Sequence, residues 1–249
     1  MRTVTVSTPL PLSGARNVRD LGGYSLKDGG TTAQGVFLRA DGLHSLTGAD
    51  WNALDEYGVG RVVDLRGVEE AQRQPDAIPG SCGIEYFHVP LLDQMNSSGF
   101  QGPLPASMGE LYCALLDDSA ADLGRVMELL ARQSEGAALF HCSAGKDRTG
   151  VVTMLLLELA GVPDEEILAD YSVSETYMQE LFAWQKRAAA EAGIQIPDYM
   201  LQSRPEEMRR TLEHLHQTYG SAEAYLLGPA GRTQAEVETL RERLRGQTQ

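Results

Sequence analysis

Short apolar runs alternate along the chain with longer amphipathic stretches, and this rhythm predicts its elements. Val36-Phe37-Leu38-Arg39 reads as a strand entered from a Lys27-Asp28-Gly29-Gly30 turn. Thr47 then caps a helix that stops at Gly58. Arg61 to Arg66 is the next strand, and residues 67–83 read as a polar loop or short helix broken at Pro75, Pro79 and Gly80. Ile84 to Val89 alternates loosely, and residues 96–105, rich in Gly, Ser and Pro, read as a flexible loop. Two helical patterns follow, over about 107–116 and 120–133, the second capped by Ser119. Ala137 to Phe140 is a buried strand, and Val151 to Leu157 is a helix apolar on nearly every face. Gly161-Val162-Pro163 separates that helix from another reaching Asp170-Tyr171. Residues 175–192 are amphipathic, 194–204 break the pattern, 205–219 are helical again, and Thr233 with Glu236 form the capping box of a last helix. Strands alternating with helices predict an α/β fold, a twisted and mostly parallel central sheet flanked by helices on both faces, with ligand contacts at its C-terminal edge.

The 249 residues fit one domain, taken as 1–249, and an apolar fraction of 42% suffices for its core. A formal charge of −14 argues against nucleic acid as a partner. An acidic chain that handles an anion must build its positive potential locally, and one of only three lysines, Lys146, lies inside the stretch described next. Three irregularly spaced cysteines suggest neither a disulfide framework nor a zinc site, and no metal or other cofactor is expected. Neither a signal-peptide core nor a membrane span is apparent, so stable membrane insertion is not expected and the cytoplasm is the default compartment. The sequence is also compatible with export without a recognisable signal.

The chemistry concentrates in Phe140-His141-Cys142-Ser143-Ala144-Gly145-Lys146-Asp147-Arg148-Thr149-Gly150. A strand, a glycine-containing loop and a buried helix make an anion site, because loop N–H groups converge and the helix N-terminus adds partial positive charge. That field lowers the pKa of a thiol, making Cys142 a nucleophile. Arg148 offers a planar fork matched to two phosphate oxygens. Ser143, Ala144, Gly145, Lys146 and Asp147 supply the rest of the cradle, and Thr149 can donate its hydroxyl to the sulfur. A nucleotide-binding Walker loop is excluded, since Asp147 follows Gly145-Lys146 and position 140, where that motif needs glycine, is Phe140.

The stretch resembles the signature loop of the protein-tyrosine-phosphatase superfamily, in the form found in bacterial atypical tyrosine and phosphoinositide phosphatases. The likeness extends over roughly residues 14 to 245, through Asn17-Val18-Arg19-Asp20-Leu21-Gly22-Gly23-Tyr24, Asp64-Leu65-Arg66 and Asp170-Tyr171. It implies a cysteine-dependent phosphomonoesterase acting on phosphorylated protein or phosphoinositide through a phosphocysteine. Asp147 is favoured as the acid, with Asp93, on a stretch where the wider superfamily carries a mobile aspartate, as the rival. Arg39, where the family has a basic residue, is either a substrate contact or part of a salt bridge. His141 is expected to orient the loop, and Asp64 and Arg66 either to support it from behind or to border the site. Lys146 would widen the positive field for polyanionic substrates. Residues 174–219 lie where relatives carry a helical lid, the alternative being an ordinary packed helical pair. Two other readings compete. One is a non-catalytic phosphate-binding module of the same fold. The other is a sulfurtransferase or arsenate reductase, which the Lys-Asp-Arg-Thr-Gly ending fits poorly.

Overall fold

Successive side chains of a strand point to opposite sides of its sheet, and here that alternation builds two cores. The computed structural model describes residue 4 and residues 6–91, 105–132 and 136–246. Asp93 and all of the expected 96–105 loop except Pro105 lie outside these. Five described strands, β1 (Arg19–Asp20), β2 (Phe37–Ala40), β3 (Val59–Asp64), β4 (Glu85–His88) and β5 (Ala137–His141), stand in the order β1-β2-β5-β3-β4. Only the β1–β2 pair is antiparallel. The mixed, mostly parallel sheet thus agrees with the expected class, and β5, buried at every position, lies at its centre.

Phe37, Val63, Ala138 and Phe140 face the larger core, while Leu38, Ala40, Val62, Ala137 and Leu139 face the smaller one. The smaller core is closed by Trp51 and Leu54 of α1 (Gly48–Tyr57), with Leu10 and Leu12 of the N-terminal arm packed against it. The predicted ends of α1 agree: Thr47 and Asp50 form a capping box, and Gly58 closes the helix in the left-handed conformation at φ 90°. The polar stretch after β3 forms a short helix, α2 (Val68–Arg73).

The larger core is built by α3 (Met108–Asp118), α4 (Ala120–Ala131), α5 (Asp147–Ala160), α6 (Asp164–Tyr177), α9 (Pro205–Tyr219), α10 (Ala222–Leu227) and α11 (Gln234–Arg245). Helix α5 is apolar all round because the sheet, α3, α6, α10 and α11 surround it. The expected 174–219 insertion divides into unlike parts. Helix α9 belongs to the main core, packed on α3 and α6 through Met208, Thr211, Leu212 and Leu215. Between them α7 (Gln179–Glu191) buries only Phe182, and α8 (Asp198–Leu201) buries no residue. The loosely packed part is therefore confined to about residues 179–201. No helix among the described residues is long and apolar enough to cross a membrane.

Candidate active site

The signature loop leaves the C-terminal end of the central strand and enters α5 at Asp147, which places Arg148 and Thr149 in the first helical turn. Gly145 makes the bend. Its φ is +63°, and a Cβ there would lie 2.5 Å from the Ala40 carbonyl oxygen. Cys142 is buried at the base of the loop, 2% exposed.

Three consecutive carbonyls of the loop are held from behind. Gly42 N–H donates to Ser143 O, Asn17 Nδ2 to Ala144 O and Gly145 O, and Arg39 Nη2 to Gly145 O. No peptide bond among the described residues is cis, so the N–H groups of Ala144, Gly145 and Lys146 point opposite to those carbonyls. Among the described residues none of the three meets an acceptor. This is the nest of donors that an oxyanion requires.

Arg148 is clamped by a residue that the sequence reading did not single out. Its Nη1 and Nη2 donate to Glu70 Oε2 and Oε1 at 2.6 and 3.0 Å, and Ser143 Oγ donates to the same Oε1 at 2.6 Å. Burial pushes the Glu70 carboxyl up, but the bonds from Arg148 outweigh it and hold the group below the usual carboxylate range. Burial would lower Arg148, yet the bonds to Glu70 and the Cys142 charge raise it. Arg148 Nε and Thr149 Oγ1 are buried with no hydrogen-bond partner among the described residues. Both donors lie in the first turn of α5, which the Cys142 loop enters.

Arg39 lies on the other side of the loop. It is fully buried, donating through Nη1 to Asp170 and through Nη2 to Gly145 O. Arg39 thus makes the salt bridge that was the alternative to a substrate contact. Burial, and then neighbouring Arg19, lower the Arg39 pKa, while the Asp170 charge opposes them. Arg19 stands opposite Arg39 in the β1–β2 register, and its guanidinium reaches Asp170 Oδ1, Ser174 and Asn17. Asp170 receives both arginines and the Tyr24 hydroxyl, and these keep it ionised although burial alone would raise its pKa.

Lys146 is also buried. Its side chain is 1% exposed, with Nζ donating to Met200 O at 2.6 Å and Gln202 O at 2.9 Å and lying 5.6 Å from the centre of the Phe182 ring. Its charge thus fastens residues 179–202 to the loop. Asp147, by contrast, is partly open at 17% exposed, with Lys146 Nζ 3.3 Å from Oδ1 and the Tyr112 hydroxyl donating to that same oxygen. Its rival as acid, Asp93, lies outside the described residues.

His141, Asp64 and Arg66 stand behind the loop on the smaller-core side. His141 pairs with Asp64 in register, its Nδ1 is 3.2 Å from Cys142 O, and its Nε2 is 3.0 Å from Asp76 Oδ2. Asp64, Asp76 and His141 gather potential ligand atoms within 4.8 Å of one another. Arg66 already bridges Asp64 and Asp76 at 2.7 and 2.8 Å, taking the position a cation would need.

The model of the tyrosine phosphatase family matches residues 10–246. A tyrosine-protein phosphatase of Nostoc commune is 36% identical over 84% of this chain and 74% of its own length. A putative tyrosine-protein phosphatase of Cupriavidus necator is 27% identical over 84% and 80% respectively. The triple specificity protein phosphatase PtpB of Mycobacterium tuberculosis is 29% identical over 90% of this chain and 98% of its own length.

Proposed function

Because the chain belongs to the tyrosine phosphatase family and is a phosphoric monoester hydrolase, we propose that it works through a phosphocysteine on Cys142. The observation that carries this reading is the loop itself. Above a buried cysteine it leaves three aligned N–H groups and Arg148 Nε uncommitted, with the partly open Asp147 in the same turn. In the first step Cys142 Sγ attacks phosphorus, and Asp147 protonates the departing oxygen as the P–O bond breaks. Arg148 and the loop N–H groups hold the equatorial oxygens throughout. Water then attacks the phosphocysteine, with the same carboxylate as base, releasing phosphate and the thiolate.

The family supplies phosphorylated substrates as a class, and the reading adopted is phosphoprotein, with phosphotyrosine first. Phosphoinositide turnover is the second reading, favoured by the 29% identical relative named for triple specificity. The Lys146 contacts give it no added support. Residues 179–201 act in this reading as a cover fastened to the loop through Lys146. The family match across residues 10–246 supports a single catalytic domain, and the cytoplasm is the proposed site of action.

The test is phosphate release from p-nitrophenyl phosphate, phosphopeptides and phosphoinositides, with Cys142→Ser alongside. Turnover should fall by on the order of 10⁶, as when a protease loses its nucleophile. The substrate ranking then chooses between protein and lipid. Release that survives in Cys142→Ser would refute the mechanism, and binding of phosphate analogues without any release would indicate a non-catalytic module.

A further inference from the structure

We propose that Tyr112, held in turn by Tyr171, is a positioning residue that dedicates one oxygen of Asp147 to the protein and reserves the other for the leaving group. This rests on the reading of Asp147 as the acid. Tyr112 comes from α3, Asp147 opens α5 and Tyr171 lies on α6, so the relay joins three helices that are distant in sequence. Both tyrosines are buried, at 0% and 1% exposed, with their rings edge to face and centroids 5.9 Å apart.

Counting protons fixes the direction of the relay. A phenol has one hydrogen, and that of Tyr112 goes to Asp147 Oδ1. The 2.8 Å contact between Tyr112 Oη and Tyr171 Oη must therefore be donated by Tyr171. Burial first, and then the Asp147 charge, raise both phenols well above their ordinary pKa, so both remain donors.

Lys146 Nζ approaches the same Oδ1 at 3.3 Å, whereas no described residue donates to Oδ2. With Oδ1 receiving the Tyr112 hydrogen and facing the Lys146 charge, the acidic hydrogen resides on Oδ2. It moves from there to the leaving oxygen as Sγ–P forms and P–O breaks, and both phenols keep their own protons. Gly150 of the signature stretch has a use in the same arrangement. A Cβ there would lie 3.2 Å from Tyr171 Cδ2 and press the ring that anchors the relay.

A merely structural tyrosine would slow all substrates alike, whereas a positioner of the acid matters in proportion to how badly the leaving group needs a proton. The experiment measures kcat/KM for p-nitrophenyl phosphate and phenyl phosphate with wild type, Tyr112→Phe, Tyr171→Phe, Asp147→Asn and Tyr112→Phe/Asp147→Asn. Tyr112→Phe should lose roughly 10-fold more on phenyl phosphate than on the nitrophenyl ester, as expected for one hydrogen bond to a charged group. Tyr171→Phe should lose less in the same sense, and the double variant no more than Asp147→Asn alone. Equal losses of Tyr112→Phe on both esters, beside a leaving-group-dependent Asp147→Asn, would overturn the relay and leave the acid standing. A loss in Asp147→Asn that ignores the leaving group would remove the acid assignment and the relay with it.

Discussion

Arg39 and Arg148 approach the signature loop from opposite sides and are both buried, yet their surroundings differ in kind. Behind the loop Arg39 shares Asp170 with Arg19, and its Nη atoms are bound to Asp170 and the Gly145 carbonyl, while its Nε, like that of Arg148, has no described partner. At the front Glu70 takes Nη1 and Nη2 of Arg148 and leaves Nε without a described partner. One carboxylate neutralising two guanidiniums makes a rigid support. One carboxylate gripping a single guanidinium by its far edge orients the fork while keeping a donor for the substrate. The back of the loop should therefore be read in stability and the front in rate.

The largest expected effect breaks the back. Asp170→Asn leaves two buried arginines without their counter-charge, and loss of one partner of such a pair costs about 3–5 kcal/mol. Urea unfolding should show that drop in ΔG. A variant within about 0.5 kcal/mol of wild type, the range of ordinary surface substitutions, would mean that Asp170 does not carry the support. At the front, Glu70→Gln keeps an acceptor but removes the charge. It should lower kcat/KM on a phosphotyrosine peptide by roughly 10–100-fold, the equivalent of a charge-assisted hydrogen bond. Its stability loss should be smaller than that of Asp170→Asn, since only one cation loses its partner. If the order were reversed, with rate preserved and stability collapsing, the distinction between front and back would fail.

The two sides were not equally legible in the sequence. Cys142, Arg148 and Asp147 are neighbours in one stretch, and the caps at Thr47 and Thr233 are local signals, so their positions follow from spacing alone. Asp170 lies 131 positions from Arg39, and only the folded sheet makes α6 its neighbour. Strand parity gives a partial clue, because Arg39 shares the side of Phe37 and must point into the larger core. Glu70 left a weaker trace, since it follows Glu69 in a short polar helix and nothing local distinguishes them. The partners of Lys146 could not be read in advance, because they are backbone carbonyls of residues 200 and 202, which no side-chain pattern encodes.

The smallest effect sharpens the comparison at a third position, Asp64, which lies apart from the Asp170 support. Burial favours its protonated form, but Arg66, bound through its backbone N–H, Nε and Nη2, together with His141, outweighs burial and pushes the group down to about 2. The Tyr86 hydroxyl adds a further bond at 2.8 Å. A carboxyl lowered on folding stabilises the native state fully above its unfolded pKa of about 4. That stability, about 2 kcal/mol for a shift of this size, is lost as pH falls from about 4 towards 2. Urea unfolding of wild type through this window should steepen by up to about one proton's worth relative to Asp64→Asn, while the two proteins keep parallel profiles between about pH 5 and 7. Parallel profiles down to pH 2 would mean that Asp64 is already balanced in the unfolded chain. Divergence confined to the acid window would place this cluster with the back of the loop, as support felt in stability.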